Sequence, residues 1–359
     1  FFVLFLVLPP EHQRENEERE RERERFLTTP SEIRTLPPIV GFFPPMSATS
    51  LPPSPGPLPL CLLIPAGPGE AEIARISDLL EACVAYSDLP LSAVIINDGN
   101  DAAALAQAGR AQRIPTTVRP NARDGEGNWW TGGLCMAMLE ALLWIARNHP
   151  CRGVLRLDSD AMVINPFARR LVALFEADPL TGMVGNGDTV TGAPPPPGHS
   201  LTAMLYWKSK PVSHDREHHR ITVSLWGWRR RIRRLIGRAR RNGYVLGDWC
   251  QGGAYALSPS FLSRLRQDPA FARPRDFLPL DFCEDVLMIL IVHALALRAH
   301  YTTGPDRLFA SKWKGLYDAP AALAAAGHGV IHSVKEHGEL KEADLRAIFR
   351  HRRMDLIQP

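Results

Sequence analysis

A chain of 359 residues with 45% hydrophobic and 22% charged residues can bury a substantial core, as one large α/β domain or two modest ones, which excludes a fibrous or wholly disordered protein. The net charge of +4 is mild and unevenly spread, with eight arginines between Arg229 and Arg241, and basic residues alone do not indicate nucleic acid; none is expected as a partner. The six cysteines form no CxxC pair and mostly lie in apolar runs, which argues against a disulfide framework or zinc site and for a reducing, cytoplasmic setting.

Phe1 to Leu8 is apolar but too short to span a bilayer, and it lacks the basic flank and cleavage site of a signal peptide. Glu11 to Arg25 is a Glu/Arg run with no apolar face, followed by proline-rich linker. Residues 1–58 therefore read as a disordered low-complexity extension, with Met46 as the expected start and residues 1–45 as upstream sequence.

Globular sequence begins at Leu60-Cys61-Leu62-Leu63-Ile64-Pro65, a buried strand running into Ala66-Gly67-Pro68-Gly69. Glu70 to Tyr86 has helical apolar spacing, Ser92 to Ile96 is a second strand ending in Asn97-Asp98-Gly99-Asn100, and Leu134 to Ala146 is a further helix. Gly153 to Leu157 is a strand that runs into Asp158. Alternating strands and helices predict an α/β fold, a single Rossmann-like domain with a mostly parallel central sheet flanked by helices. Ligands of such sheets lie beyond the carboxyl ends of the strands, where Pro65, Asn97-Asp98 and Asp158 all fall. Residues 59–185 form the first half of the domain, and 186–250 a variable insert carrying the arginine segment. Residues 251–335 form the second half and 336–359 a C-terminal tail helix. In the second half, Gly252 to Leu257 reads as a strand, Ser258-Pro259 opens a helix, and Glu284 to Ala299 is helical.

Three places can carry chemistry. On an extended backbone the carboxylates of Asp158 and Asp160 point to one side and can converge on a hard divalent cation, Mg²⁺ or Mn²⁺; two surface aspartates in a turn are the plain alternative. Glu284 and Asp285, at the start of an apolar helix, favour the positive end of its dipole and equally suit a positioned general base. His332, after a short apolar run, is either structural or a third ligand beside Asp158 and Asp160. In the arginine segment Ile232, Leu235 and Ile236 interleave with the charges; residues 226–241 are a solvated helix, a flexible insert, or a helix lying peripherally on anionic lipid at the inner face of the membrane.

Leu62-Leu63-Ile64-Pro65, Val94 to Asn100, and Leu155-Arg156-Leu157-Asp158-Ser159-Asp160 follow one another in the order of GT-A glycosyltransferases, notably the family 2 type, which this chain resembles over about residues 60–335. Gly252-Gly253-Ala254-Tyr255-Ala256-Leu257-Ser258 followed by Glu284-Asp285-Val286 is similar to a pattern of β1,3-galactosyltransferase and Fringe-like enzymes, which share that fold. The resemblance implies that Pro65, Ala66, Asn97 and Asp98 cradle the nucleoside of a UDP- or GDP-sugar and that Asp158 and Asp160 bind the metal. It departs from the family at Asn97-Asp98-Gly99-Asn100, where Asp-Asp-Gly-Ser is usual, and at Asn128 to Gly133, where many relatives are more polar. In that segment Trp129 and Trp130, ahead of Gly133, either stack on a sugar or base or cap the core, and Arg123, just upstream, either meets a phosphate or is simply exposed. Trp249, Gly252 and Gly253 are the implied acceptor contacts.

The activity so implied is inverting, metal-dependent transfer of a sugar, of hexosyltransferase type, to the hydroxyl of a glycan, lipid or other acceptor, with Asp285 as the base beside Glu284. Two rivals remain: a nucleotidyltransferase, whose glycine-rich loop would be the acidic Pro65-Ala66-Gly67-Pro68-Gly69-Glu70, and a non-catalytic carbohydrate- or partner-binding protein on the same scaffold.

Overall fold

The computed structural model describes residues 58–126, 131–187, 227–244, 250–280, 283–302 and 307–357. In chain order the elements are β1 (Leu60–Ala66), α1 (Glu70–Tyr86), β2 (Leu91–Asn97), α2 (Ala102–Ala111), β3 (Thr116–Pro120), α3 (Gly132–Asn148), β4 (Val154–Leu157), β5 (Met162–Val163), α4 (Ala168–Ala177) and β6 (Thr181–Gly185). After them come α5 (Gly227–Arg241), β7 (Ala254–Leu257), α6 (Pro259–Gln267), α7 (Glu284–Ala294), β8 (Arg298–Tyr301), β9 (Phe309–Ser311), α8 (Pro320–Ala325), β10 (Val330–His332), β11 (Glu336–His337), β12 (Leu340–Lys341) and α9 (Glu342–Ile357). Residues 1–57, including Met46 and the Glu/Arg run, lie outside the described residues.

Seven strands form one sheet in the order β3-β2-β1-β4-β7-β6-β8, in which only β7 runs against the others. The α/β fold with a mostly parallel sheet is thus as expected. Its central strands are continuous apolar runs because both faces are covered. Cys61, Leu63, Val94 and Ile96 face a core built with α3, α5, α6 and α7. Leu60, Leu62, Ile64, Ala93 and Ile95 face the other, with α1, α2, α4 and α9. A one-residue slip of β1 would exchange these two sets, so the pleat fixes which strand end reaches which helix. A smaller sheet, β5-β10-β9, lies in the second core and carries His332 at the end of β10.

Three expectations are corrected. The helix from Glu284 ends at Ala294, not Ala299: Ala296 takes a left-handed backbone (φ 55°), and Arg298–Tyr301 is drawn into the sheet as β8 beside β6. The strand expected from Gly252 starts at Ala254, since Gly253 has φ +88° and breaks the pleat. Ile232, Leu235 and Ile236 of the arginine helix do not face outward. They are buried with Ala239 in the core shared with α7, while Arg231 pairs with Asp276 and Arg238 with Asp268. Those apolar side chains are therefore not available to lipid. Among the described residues no helix is long and apolar enough to cross a membrane. The start of α6 is as expected: Pro259 occupies its first turn and the Ser258 hydroxyl accepts the Phe261 N–H at 3.1 Å.

Candidate metal centre and its acidic neighbour

β4 delivers Asp158 to the carboxyl end of the sheet. The backbone there is a turn, not the extended segment that the i, i+2 argument assumed: Ala161 N–H donates to the Asp158 carbonyl at 3.0 Å. The turn is pinned at each residue. Asp158 N–H donates to Gly253 O (2.7 Å), Arg346 of α9 donates to Ser159 O (2.9 Å), and Val334 N–H donates to Asp160 O (2.9 Å). Arg346 and Arg353 are themselves held by buried Asp78 of α1, at 2.8 and 2.5 Å. The C-terminal helix thereby braces the aspartate turn through a buried, charge-assisted network.

Converging carboxylates arise all the same. Ligand atoms of Asp158, Asp160 and His332 all lie within 4.8 Å of one another. His332 Nε2 is 3.3 Å from Asp160 Oδ1 and 3.7 Å from Asp158 Oδ2. The ring is seated on Gly253, where an added Cβ would stand 2.3 Å from Nδ1, so no larger residue fits at that position. Two carboxylates and an imidazole are a donor set that could hold a divalent cation. Asp160 is only 5% exposed, and burial alone would favour its neutral form. The hydrogen bond and charge of His332, together with Lys335 at 3.0 Å, outweigh this and hold its pKa well below the usual carboxylate range. Both aspartates and His332 line a cleft of about 400 Å³ with Pro65, Pro68, Arg75, Lys335 and the exposed Trp313.

Behind this cluster lies the second acid pair. Arg156, in β4, is 1% exposed, and its Nη2 sits 2.9 Å from Asp158 Oδ1 and 2.9 Å from Glu284 Oε1. Tyr255, its register partner on β7, donates its hydroxyl to the same Glu284 oxygen at 3.2 Å. Burial pushes the Glu284 pKa up; Arg156 opposes this, Asp285 and Asp158 add to it, and the result is about 7. Asp285 is equally buried but differently engaged: its Oδ2 accepts the Gly252 N–H (3.1 Å) and its Oδ1 the Val286 N–H (2.8 Å).

The loops after β1 and β2 are joined. Asn97 closes its own turn through two bonds to Asn100 of 2.8 Å each, and the Asn100 amide donates to Gly67 O at 2.7 Å. Asp98 and Arg123, expected as separate contacts to a nucleoside and a phosphate, instead form a forked ion pair of 2.7 and 2.9 Å. Pro65 and Ala66 end β1, where Ala66 O accepts the Asp98 N–H, and Gly133 is buried in the first turn of α3. Trp130 and Trp249 lie outside the described residues.

Sequence reasoning missed Arg156, Tyr255, Lys335 and Trp313. Arg156 had a usable signal, because a lone charge inside the buried run Val154-Leu155-Arg156-Leu157 requires counter-charges. Lys335 and Trp313 had none, since only the fold brings them to the cleft.

No family model matches the sequence, and no curated protein matches it. Among solved structures the chain is similar to the apo form of the WbbM bifunctional glycosyltransferase, at 12% identity and a TM-score of 0.46 over 86% of this chain; it spans 52% of that structure. It is also similar to the galactosyltransferase LgtC in complex with donor and acceptor sugar analogs (12% identity, TM-score 0.43, 84% of this chain and 97% of that one). A third likeness is to the apo form of mouse xyloside xylosyltransferase 1 (10% identity, TM-score 0.42, 77% and 98%). These likenesses are remote.

Proposed function

We propose that this chain is a metal-dependent glycosyltransferase of GT-A type that moves a hexosyl group from a UDP- or GDP-sugar to a hydroxyl acceptor. The observation that supports it is the convergence of Asp158, Asp160 and His332 within 4.8 Å at the carboxyl end of the sheet, opening on a cleft of about 400 Å³. Asp158, Asp160 and His332 would hold Mn²⁺ or Mg²⁺, which when bound supplies positive charge against the leaving diphosphate. Lys335, already at Asp160, adds a cationic donor on the same side of the cleft.

On this reading the donor nucleotide extends from Pro65 and Ala66 along the loops of Asn97 and Asp98, with Arg123 acting on it through Asp98. Asp285, fixed by the Gly252 amide, is the base that takes the acceptor proton as the sugar is attacked in line and its anomeric centre inverted. The acceptor, a glycan or a lipid, would approach past Gly252 and Gly253.

Incubation with a panel of UDP- and GDP-sugars and Mn²⁺, without acceptor, should give slow hydrolysis of one donor, lost on chelation and in Asp158→Ala. Cleavage of nucleoside triphosphates with a sugar phosphate would favour a nucleotidyltransferase, and inertness with no nucleotide binding a non-catalytic scaffold.

Among the described side chains of residues 231–241, attraction to an anionic membrane would be electrostatic, through guanidinium groups such as the exposed Arg234, Arg240 and Arg241, because Ile232, Leu235 and Ile236 are in the core. Sedimentation with phosphatidylserine vesicles should therefore be seen at low salt and vanish at about 0.5 M, where screening reaches a few ångström. Sedimentation that persists in high salt would overturn that picture.

A further inference from the structure

Arg156 is a full positive charge within reach of the candidate cation site, which is an unexpected neighbour for a group meant to attract Mn²⁺. Its guanidinium is buried on β4 against the Tyr255 ring, 5.5 Å from the ring centroid, and cannot escape to solvent. It touches the inner oxygen of Asp158 and the carboxylate of Glu284 at the same distance, 2.9 Å. The other Asp158 oxygen is the one nearest His332.

We propose that Arg156 sets the charge that Asp158 presents to the metal centre, and that Glu284 acts on the metal only by neutralising Arg156. This rests on the metal-dependent reading above. The guanidinium occupies Asp158 Oδ1 and leaves Oδ2 to ligate, so an uncompensated Arg156 would repel the cation and draw on the negative charge that Asp158 offers it. Such an outer partner tunes a metal site through the charge it leaves on the ligand. Glu284 balances the charge of Arg156, so Asp158 presents its full negative charge to the cation. The start of α7, which carries Asp285, is thereby fastened to the same strand end as the metal ligand.

This arrangement makes opposite changes at the two partners have opposite effects, which a packing role would not. Mn²⁺ affinity is measured by electron paramagnetic resonance of free Mn²⁺ at pH 8. Glu284→Gln should weaken Mn²⁺ binding on the order of tenfold although Glu284 is not a ligand, the scale of one unit charge at this range in a protein interior. Arg156→Gln should strengthen it by a similar factor, and the double variant should return close to wild type. Arg156→Lys, which keeps the charge, should stay within about threefold of wild type, and it carries the test with Glu284→Gln if Arg156→Gln fails to give a cooperative melt. Weakened binding in Arg156→Gln as well as Glu284→Gln, or no change in Glu284→Gln, would overturn the proposal. Wild-type protein that binds no Mn²⁺ would instead defeat the metal reading itself.

Discussion

The two acid pairs of the site are built from the same kinds of residue and are treated in opposite ways. Asp158 and Asp160 face a cleft and are met from it by cationic or polar groups, His332 and Lys335, so Asp160 stays ionised in spite of burial. Glu284 and Asp285 sit at a helix start beside the inner strands β4 and β7, where one guanidinium is shared between Glu284 and the first pair, and Glu284 is pushed up to about 7. Chemical identity therefore does not set the state of these carboxylates; their surroundings do, and they separate the two pairs before any role is given to either. Asp285 then differs from its own neighbour. Its two oxygens accept the backbone N–H groups of Gly252 and Val286, whereas Glu284 meets Arg156 and Tyr255.

The sharpest way to break this division of labour is Asp285→Asn. If proton removal belongs to Asp285 and cation binding to the first pair, sugar transfer should fall by about 10²- to 10⁴-fold. Mn²⁺ and nucleoside diphosphate binding, followed by calorimetry, should hardly move. Near-normal turnover would remove Asp285 from the chemistry, and loss of Mn²⁺ binding would show that the two pairs work as one unit.

The parts that were legible in the sequence are the ones whose physics is local. Continuous apolar runs identified β1, β2 and β4, and the Ser258-Pro259 cap identified α6, because burial on both faces and an N-cap each leave a pattern within a few residues. Asp158, Asp160 and His332 were found together, although the reason offered for the convergence was wrong: the turn is imposed by Gly253, Val334 and Arg346, all distant in sequence. The end of α7 was misjudged because Leu295 to Ala299 keeps helical composition while β6 offers a better partner for residues 298–301. The arginine helix was misjudged for a similar reason. An apolar stripe among charges says that a face will be covered, not whether lipid or α7 covers it. The links that make the site one object, Arg156 to Glu284 and Lys335 to Asp160, cross from strand to helix and loop and have no local signature.

The smallest expected effect tests the electrostatic half of the comparison in chelator-treated protein. Glu284 carries a folded-state pKa near 7 against an ordinary 4.5, so between those values the folded chain keeps a proton that the unfolded chain has released. Stability must then fall as pH rises through that window and level off above it. Asp160 is shifted the other way; its contribution is fully present above its ordinary 3.8 and is lost only as pH falls below that, so it is silent from pH 4.5 to 7. Urea unfolding of wild type and Glu284→Gln across pH 4.5–8 isolates the one group, since every other titration is common to both. The stability difference should change by on the order of 2 kcal/mol, with wild type losing ground as pH rises to 7 and no further change beyond it. Parallel curves would mean that Arg156 and Tyr255 stabilise the Glu284 carboxylate fully, and that the two acid pairs are alike in charge and differ only in what they face.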